Sequence, residues 1–216
     1  MTECCVVLMM KSAARSKRRL AEAIGEERAT EIARFLIACA REDLESWPGP
    51  VCVAPAVAEE AAALGSTAAD AWVVQRGGNL GERINHVNVA LVERGFERQI
   101  YVGIDCPAID VGYLERAAAA LTERDVVFGP AVDGGVVLMG VRGRWPDLKG
   151  LPWSTEELFA ALEATCSGAR AAVLEPLRDV DTLEDLLALR ASLDGDTRPA
   201  RRALGRWLAE QRDLHV

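Results

Sequence analysis

Short unbroken apolar runs alternate along this chain with longer stretches in which apolar residues recur at helical spacing. The first kind reads as buried strand, the second as amphipathic helix. Strands are predicted at 4–10 (CCVVLMM), 51–54, 71–75, 100–104, 125–128, 136–141 and 171–174. Helices are predicted over 17–45, 56–64, 80–94, 111–121, 154–163, 182–193 and 199–210. Trp47-Pro48-Gly49-Pro50 breaks the first of these helices. The segment 154–163 opens on an apparent capping box, Ser154 to Glu157, and 182–193 on another, Thr182 to Asp185.

Strand and helix in alternation imply an α/β domain, with a mostly parallel sheet covered by helices on both faces. The strands at 125–128 and 136–141 have no helix between them, which predicts one antiparallel strand. With 216 residues and no linker or repeat, the expected organisation is a single domain over 1–216, with 197–216 as a C-terminal helical extension.

Half the residues are hydrophobic and the formal net charge is −8. An acidic chain of this kind is not expected to bind nucleic acid, which needs a basic face. The apolar run at 4–10 is too short to span a bilayer and lacks a basic leader, so no membrane span or signal is expected. The 6 cysteines form no C-x-x-C pair and only 2 histidines are present, so a zinc site is not expected. Reduced thiols point to a cytoplasmic protein. Cys106 reads as a small buried hydrophobe rather than a nucleophile.

In open α/β sheets ligands bind beyond the carboxyl ends of the strands, so residues just after strands carry the most information. After the first strand, Arg15, Lys17, Arg18 and Arg19 crowd a helix start, where the helix dipole disfavours cations. An anion held there would account for them, as would a solvated basic face. After the fourth strand stands Asp105, followed by Pro107. It reads as a ligand to a hard divalent metal or as a turn residue. Asp179 and Asp181 alternate in RDVDTLEDL and share a face if that segment is extended. Metal ligation and helix capping are both open for this pair. Asp133-Gly134-Gly135 reads as a hairpin turn or as a place where a ligand approaches the backbone. Asn79, Glu82 and Arg83 follow a glycine loop and are candidates to line a pocket, while His86 reads as a helix-face polar residue. Trp153 reads mainly as core, with stacking on a base or sugar as the alternative.

Taken in order, MMK…SKRRLA…G, QRGGNLGERI, VGIDCPAI, DVVFGPAVDGG, LPWST and DVDTLEDL resemble a bacterial GT-A-like glycosyltransferase family, the radical-SAM/selenodomain-associated transferases. More distantly the chain is similar to the molybdenum cofactor and phospholactate guanylyltransferases. The resemblance covers about Met9 to Leu189. It implies a Rossmann-like GT-A fold, the three-layer sandwich of nucleotide-diphospho-sugar transferases. It also implies Mg2+ or Mn2+, a nucleotide or nucleotide-sugar, and a small-molecule acceptor, and leaves homodimerisation open. By position, Lys11, Arg15, Lys17 and Arg19 would contact nucleotide phosphates. Asp105 would be the principal metal ligand, with Asp179 and Asp181 as further acidic contacts. Asp133, Gly134 and Gly135 would border the sugar or acceptor. The chain departs from the family at Ser12 and Arg15, where a proline and a glycine are usual, and at Val136, where a tyrosine is usual. The function so implied is a metal-dependent glycosyl- or nucleotidyltransferase. The alternative is a non-catalytic nucleotide- or partner-binding protein on the same fold.

Overall fold

The computed structural model describes residues 4–11, 17–60, 69–211 and 214. Its strands are β1 (Cys4–Met10), β2 (Val51–Pro55), β3 (Ala71–Trp72), β4 (Arg98–Val102), β5 (Val126–Pro130), β6 (Val136–Arg142) and β7 (Ala171–Val173). Its helices are α1 (Arg18–Ile24), α2 (Glu26–Ser46), α3 (Leu80–Val92), α4 (Val111–Glu123), α5 (Leu158–Thr165), α6 (Leu183–Ser192) and α7 (Pro199–Glu210). One 7-stranded sheet runs in the order β3-β2-β1-β4-β6-β5-β7. Every neighbouring pair is parallel except β4–β6 and β5–β6, so β6 alone runs against the rest. The predicted α/β class and its antiparallel strand are both present.

Alternation along the strands sorts side chains onto two faces. Val6, Leu8, Val53, Ile100 and Val127 meet Ile37 and Leu44 of α2 and Tyr113, Leu114, Ala117 and Leu121 of α4. Cys5, Val7, Cys52, Tyr101, Phe128 and Met139 meet Ile84, Val87 and Leu91 of α3 and Leu158 and Leu162 of α5. The result is a three-layer sandwich. A third apolar cluster lies outside the sheet layers, where Leu20, Ile32, Leu36, Leu186, Leu189, Leu204 and Leu208 join α1, α2, α6 and α7. The C-terminal helix is thus packed into the molecule, with Arg201 fully buried.

Several boundaries differ from the sequence-based expectation. The long helix predicted over 17–45 is two helices, because Gly25 at φ 89° ends α1 and starts α2. That left-handed conformation suits glycine and lies outside the helical region. Of the helix predicted over 56–64, residues 58–60 form a single tight turn, and 61–64 lie outside the described residues. The capping box expected at Ser154 is absent. Ser154 takes φ 68°, and α5 begins only at Leu158 without a side-chain cap. Thr182 and Asp185 do form their capping box.

Candidate functional site at the carboxyl edge of the sheet

A cleft of about 470 Å³ opens where the parallel strands end and the antiparallel β6 begins. Strand order reverses here: the chain goes from β1 outward to β2 and β3, then returns to β4 on the other side. Such a switch point leaves a crevice between diverging loops. Lys11 follows β1, Gly103 and Asp105 follow β4, and Asp133 and Gly135 come from the β5–β6 turn; all line the cleft.

The acidic segments are tied together through the backbone. Beyond β7 the chain runs on beside the end of β5, with Leu177 N donating to Pro130 O and Val132 N to Leu177 O. Val180 N then donates to Asp105 O at 2.9 Å. This extended path turns Val180 into the core and both Asp179 and Asp181 into the cleft. The predicted shared face of the two aspartates is therefore realised, and both join Asp105.

Lys17 sits among these carboxylates. Its side chain is 1% exposed, and its Nζ stands 2.5 Å from Asp105 Oδ1 and 3.1 Å from Asp181 Oδ1. It also donates to Val180 O. Its backbone takes φ 64° at the N-cap of α1, a conformation uncommon outside glycine and asparagine. Burial alone would lower the lysine pKa, but the two carboxylates outweigh it and hold it above the ordinary value. The ammonium is thus turned inward onto the acidic groups, where the sequence had suggested a contact with phosphate. Arg19 and Lys11 are exposed and line the cleft. Arg15 lies outside the described residues.

Asp179 is half-buried, and its pKa is raised to about 6 by burial and by the nearby carboxylates of Asp133 and Asp181. Asp105 Oδ1 is buried and accepts no hydrogen bond of ordinary geometry among the described residues, with the Lys17 ammonium as its ion partner. An acidic end of this kind, under-compensated at Asp179, fits a hard cation. Among the described residues no three His, Cys, Asp or Glu side chains gather closely enough to enclose a metal. A cation here would therefore rest on one or two carboxylates and complete its shell with water or phosphate oxygens, which is how Mg2+ is commonly held beside nucleotides.

The remaining candidates separate. Asp133 Oδ1 accepts from Gly135 N at 2.9 Å and shapes the turn. Gly134 does not border the cleft: at φ 89°, a Cβ on it would lie 2.1 Å from Glu156 O. Its glycine is a requirement of packing. Asn79 and Glu82 are spent on the capping box of α3, and Arg83 Nε donates to Gly77 O. None of the three lines the cleft. Cys106 is buried and its thiol is pushed up to about 12 by burial, in keeping with a packed hydrophobe. Trp153 packs against the core, donates to Leu148 O and shows part of its surface to the cleft. Val136 lines the cleft where the resembled family has a tyrosine. Sequence reasoning missed Gly103 and Gln75. A Cβ on Gly103 would meet nothing closer than 3.9 Å, so the backbone there borders open space. Gln75 ends an apolar run at a strand terminus, the same signal that marked Asp105.

The sheet order, the lone reversed strand and the charged cleft at the switch point define the nucleotide-diphospho-sugar transferase fold. Over residues 37–155 the chain matches the family described as uncharacterized protein conserved in bacteria (DUF2064), and it belongs to that family. The structure is similar to that of a Desulfovibrio desulfuricans G20 protein provisionally named a nucleotide-diphospho-sugar transferase, at 26% identity and TM-score 0.85, covering 97% of this chain and 96% of that one. It also resembles a CMP:2-keto-3-deoxy-manno-octonic acid synthetase complexed with CTP, at 13% identity and TM-score 0.58, over 89% and 98% of the two chains. A cytidylyltransferase from Leptospira borgpetersenii serovar Hardjo-bovis matches at 12% identity and TM-score 0.57, over 99% and 96%. At those identities the last two speak for the fold alone. No curated protein matches the sequence. No helix among the described residues is long and apolar enough to cross a membrane.

Proposed function

We propose that this protein is a metal-dependent transferase that takes a nucleotide donor, an NTP or an NDP-sugar, and passes part of it to a small acceptor. The observation that carries the reading is the convergence of Asp105, Asp179 and Asp181 with Lys17, Lys11 and Arg19 at one cleft on the switch point of the sheet. In this reading Asp105, with help from Asp179 or Asp181, would hold Mg2+ or Mn2+, which when bound offsets diphosphate charge. Lys11 and Arg19 bind phosphate oxygens and stabilise the charge that builds on the leaving group. Lys17 fixes Asp105 and Asp181 relative to each other and keeps the acidic loops together. Asp133 and Gly135, across the cleft, border the acceptor. In nucleotidyl transfer an acceptor oxygen forms a bond to the α-phosphorus as pyrophosphate leaves. In glycosyl transfer it bonds to the anomeric carbon as the nucleoside diphosphate leaves. The charged groups serve either reaction alike.

The test is thermal unfolding of wild type and Asp105→Ala with a panel of NTPs and NDP-sugars, with and without Mg2+ or Mn2+. A donor at 100 times its dissociation constant should stabilise the wild type by about 2.7 kcal/mol. The reading expects that stabilisation to require metal and to be lost in Asp105→Ala. No stabilisation by any saturating donor would remove the nucleotide reading. Metal-dependent binding without turnover of any acceptor offered would favour a nucleotide-binding protein on this fold.

A further inference from the structure

The segment between β4 and α4 carries Asp105, and its carbonyls are held from two directions. Asp105 O accepts from Val180 N at 2.9 Å, and Cys106 O from Ile109 N at 3.2 Å. Pro107 O and Ile109 O, two and four residues beyond Asp105, are taken by α7 instead. Arg201 Nε donates to Pro107 O at 3.2 Å, and its Nη2 to Ile109 O at 3.0 Å. Arg198, at the N-cap of α7, donates from Nη1 to the same Ile109 O at 3.0 Å. Each guanidinium is itself fixed: Arg201 by Asp43, Glu42 and Cys39 O, and Arg198 by Asp196.

Two observations separate this arrangement from plain packing. A small cavity of about 10 Å³ lies against Ile104, Cys106, Pro107 and Ile109. On that side the loop forgoes close contacts, so packing alone does not fix its height above the sheet. The second observation is that α7 already docks through Leu204 and Leu208 in the third apolar cluster. Burying a guanidinium has a desolvation cost that an apolar side chain would not incur. What the guanidinium adds is direction, because its planar fork meets two carbonyls at set angles. Carboxylates that share a cation must be held to within about 0.5 Å. We infer that Arg201 and Arg198 are positioning residues for the cleft, which neither of them lines. Through Pro107 O and Ile109 O they set where Asp105 stands relative to Asp179 and Asp181, and so how tightly the acidic end holds a divalent cation. This rests on the metal reading above and adds to it a helix that does not border the site.

The experiment is a titration of the full chain with Mn2+ alone, free Mn2+ being counted by electron paramagnetic resonance. Wild type, Arg201→Lys, Arg198→Met and Leu91→Ala are compared well below their melting transitions, after circular dichroism has shown each to be folded. Arg201→Lys keeps a cation beside Asp43 and Glu42 but has no fork to span two carbonyls. Leu91→Ala is the control for lost stability: Leu91 is fully buried in the cluster on the other face of the sheet. Mn2+ should bind at least about tenfold more weakly to Arg201→Lys, about fivefold more weakly to Arg198→Met, and within about twofold of wild type to Leu91→Ala. Hydrogen exchange of the metal-free protein should show the Ile109 amide opening about tenfold faster in Arg201→Lys, with the amides of α3 unchanged. Wild-type affinity in Arg201→Lys would overturn the inference and leave the arginines as anchors of α7 only. An equal loss in Leu91→Ala would overturn it as well, since affinity would then follow stability rather than position. If Arg201→Lys does not fold, Arg198→Met decides, and an affinity within about twofold of wild type overturns the inference. Absence of Mn2+ binding by wild type would instead overturn the metal reading, and this inference with it.

Discussion

Two buried cations, each facing two carboxylates, organise this molecule, and they are built to opposite ends. Arg201 of α7 is fully buried against Glu42 and Asp43, whose side chains are 18% and 10% exposed. All its N–H groups are used: Nε on Pro107 O, Nη1 on Cys39 O and Glu42, Nη2 on Asp43 and Ile109 O. Lys17 is as deeply buried, yet its partners Asp105 and Asp181 are 44% and 42% exposed. A charge pair closed on both sides leaves nothing for a ligand, and breaking it strands a buried charge. A pair closed only on the cation side keeps carboxylate oxygens turned to the cleft. The first arrangement is a clamp, the second a site. They are also connected: Arg201 grips the carbonyls of Pro107 and Ile109, in the same loop as Asp105, and so joins the C-terminal helix to the acidic edge.

The sharpest way to break the comparison is Arg201→Met. It should cost about 3–5 kcal/mol, since Asp43 and Glu42 lose their buried partner, with Arg198 left only at 3.7 Å from Asp43, and three carbonyls lose a donor. Chemical denaturation measures it, and Mg2+ should restore none of the loss. Asp105→Ala comes next. The buried Lys17 ammonium keeps Asp181 and the carbonyl of Val180 as partners, so the free protein should still fold. The metal-dependent nucleotide stabilisation of about 2.7 kcal/mol should nonetheless disappear. Lys17→Met is predicted to cost about 1 kcal/mol, less than Arg201→Met because water reaches Asp105 and Asp181. Unlike Arg201→Met, it should regain part of that stability in millimolar Mg2+, as a divalent ion takes the place between the two carboxylates.

The smallest effect is expected far from the cleft, at Asp125. Arg170 and Arg142 donate to it and hold its carboxyl well below the usual carboxylate range. A carboxylate with a depressed folded pKa contributes stability above its unfolded value and loses it as pH falls toward the folded one. Asp125→Asn should therefore melt slightly below wild type at neutral pH, with the gap closing below about pH 4. A gap that persisted or widened in acid would contradict the ion-pair assignment.

Much of this was legible in the sequence, for identifiable reasons. The strands are apolar runs and most of the helices are periodic, so most of their positions could be read to within a few residues, the segment 56–64 being an exception. The missing helix between β5 and β6 announced the antiparallel strand. Asp105 and the Asp179–Asp181 alternation stood out because carboxylates at strand ends need partners. Other features depend on contacts between distant segments. The inward turn of Lys17 is set by Val180 and Asp181, far along the chain. The role of Gly134 is set by Glu156, and the orientation of Gln75 by carbonyls on two other strands. The break at Gly25 was locally encoded, but a single glycine inside a helical pattern is often tolerated, so the pattern alone favoured one long helix.

The most direct test of the central claim, that the open carboxylates at the cleft bind metal together with a nucleotide donor, is Mn2+ binding followed by electron paramagnetic resonance. Free Mn2+ would be counted in wild type and Asp105→Ala, with and without the nucleotide that stabilises wild type most. The account predicts one Mn2+ site in wild type that tightens when nucleotide is present, and neither the site nor the tightening in Asp105→Ala. Equal Mn2+ binding in both proteins, with or without nucleotide, would contradict it.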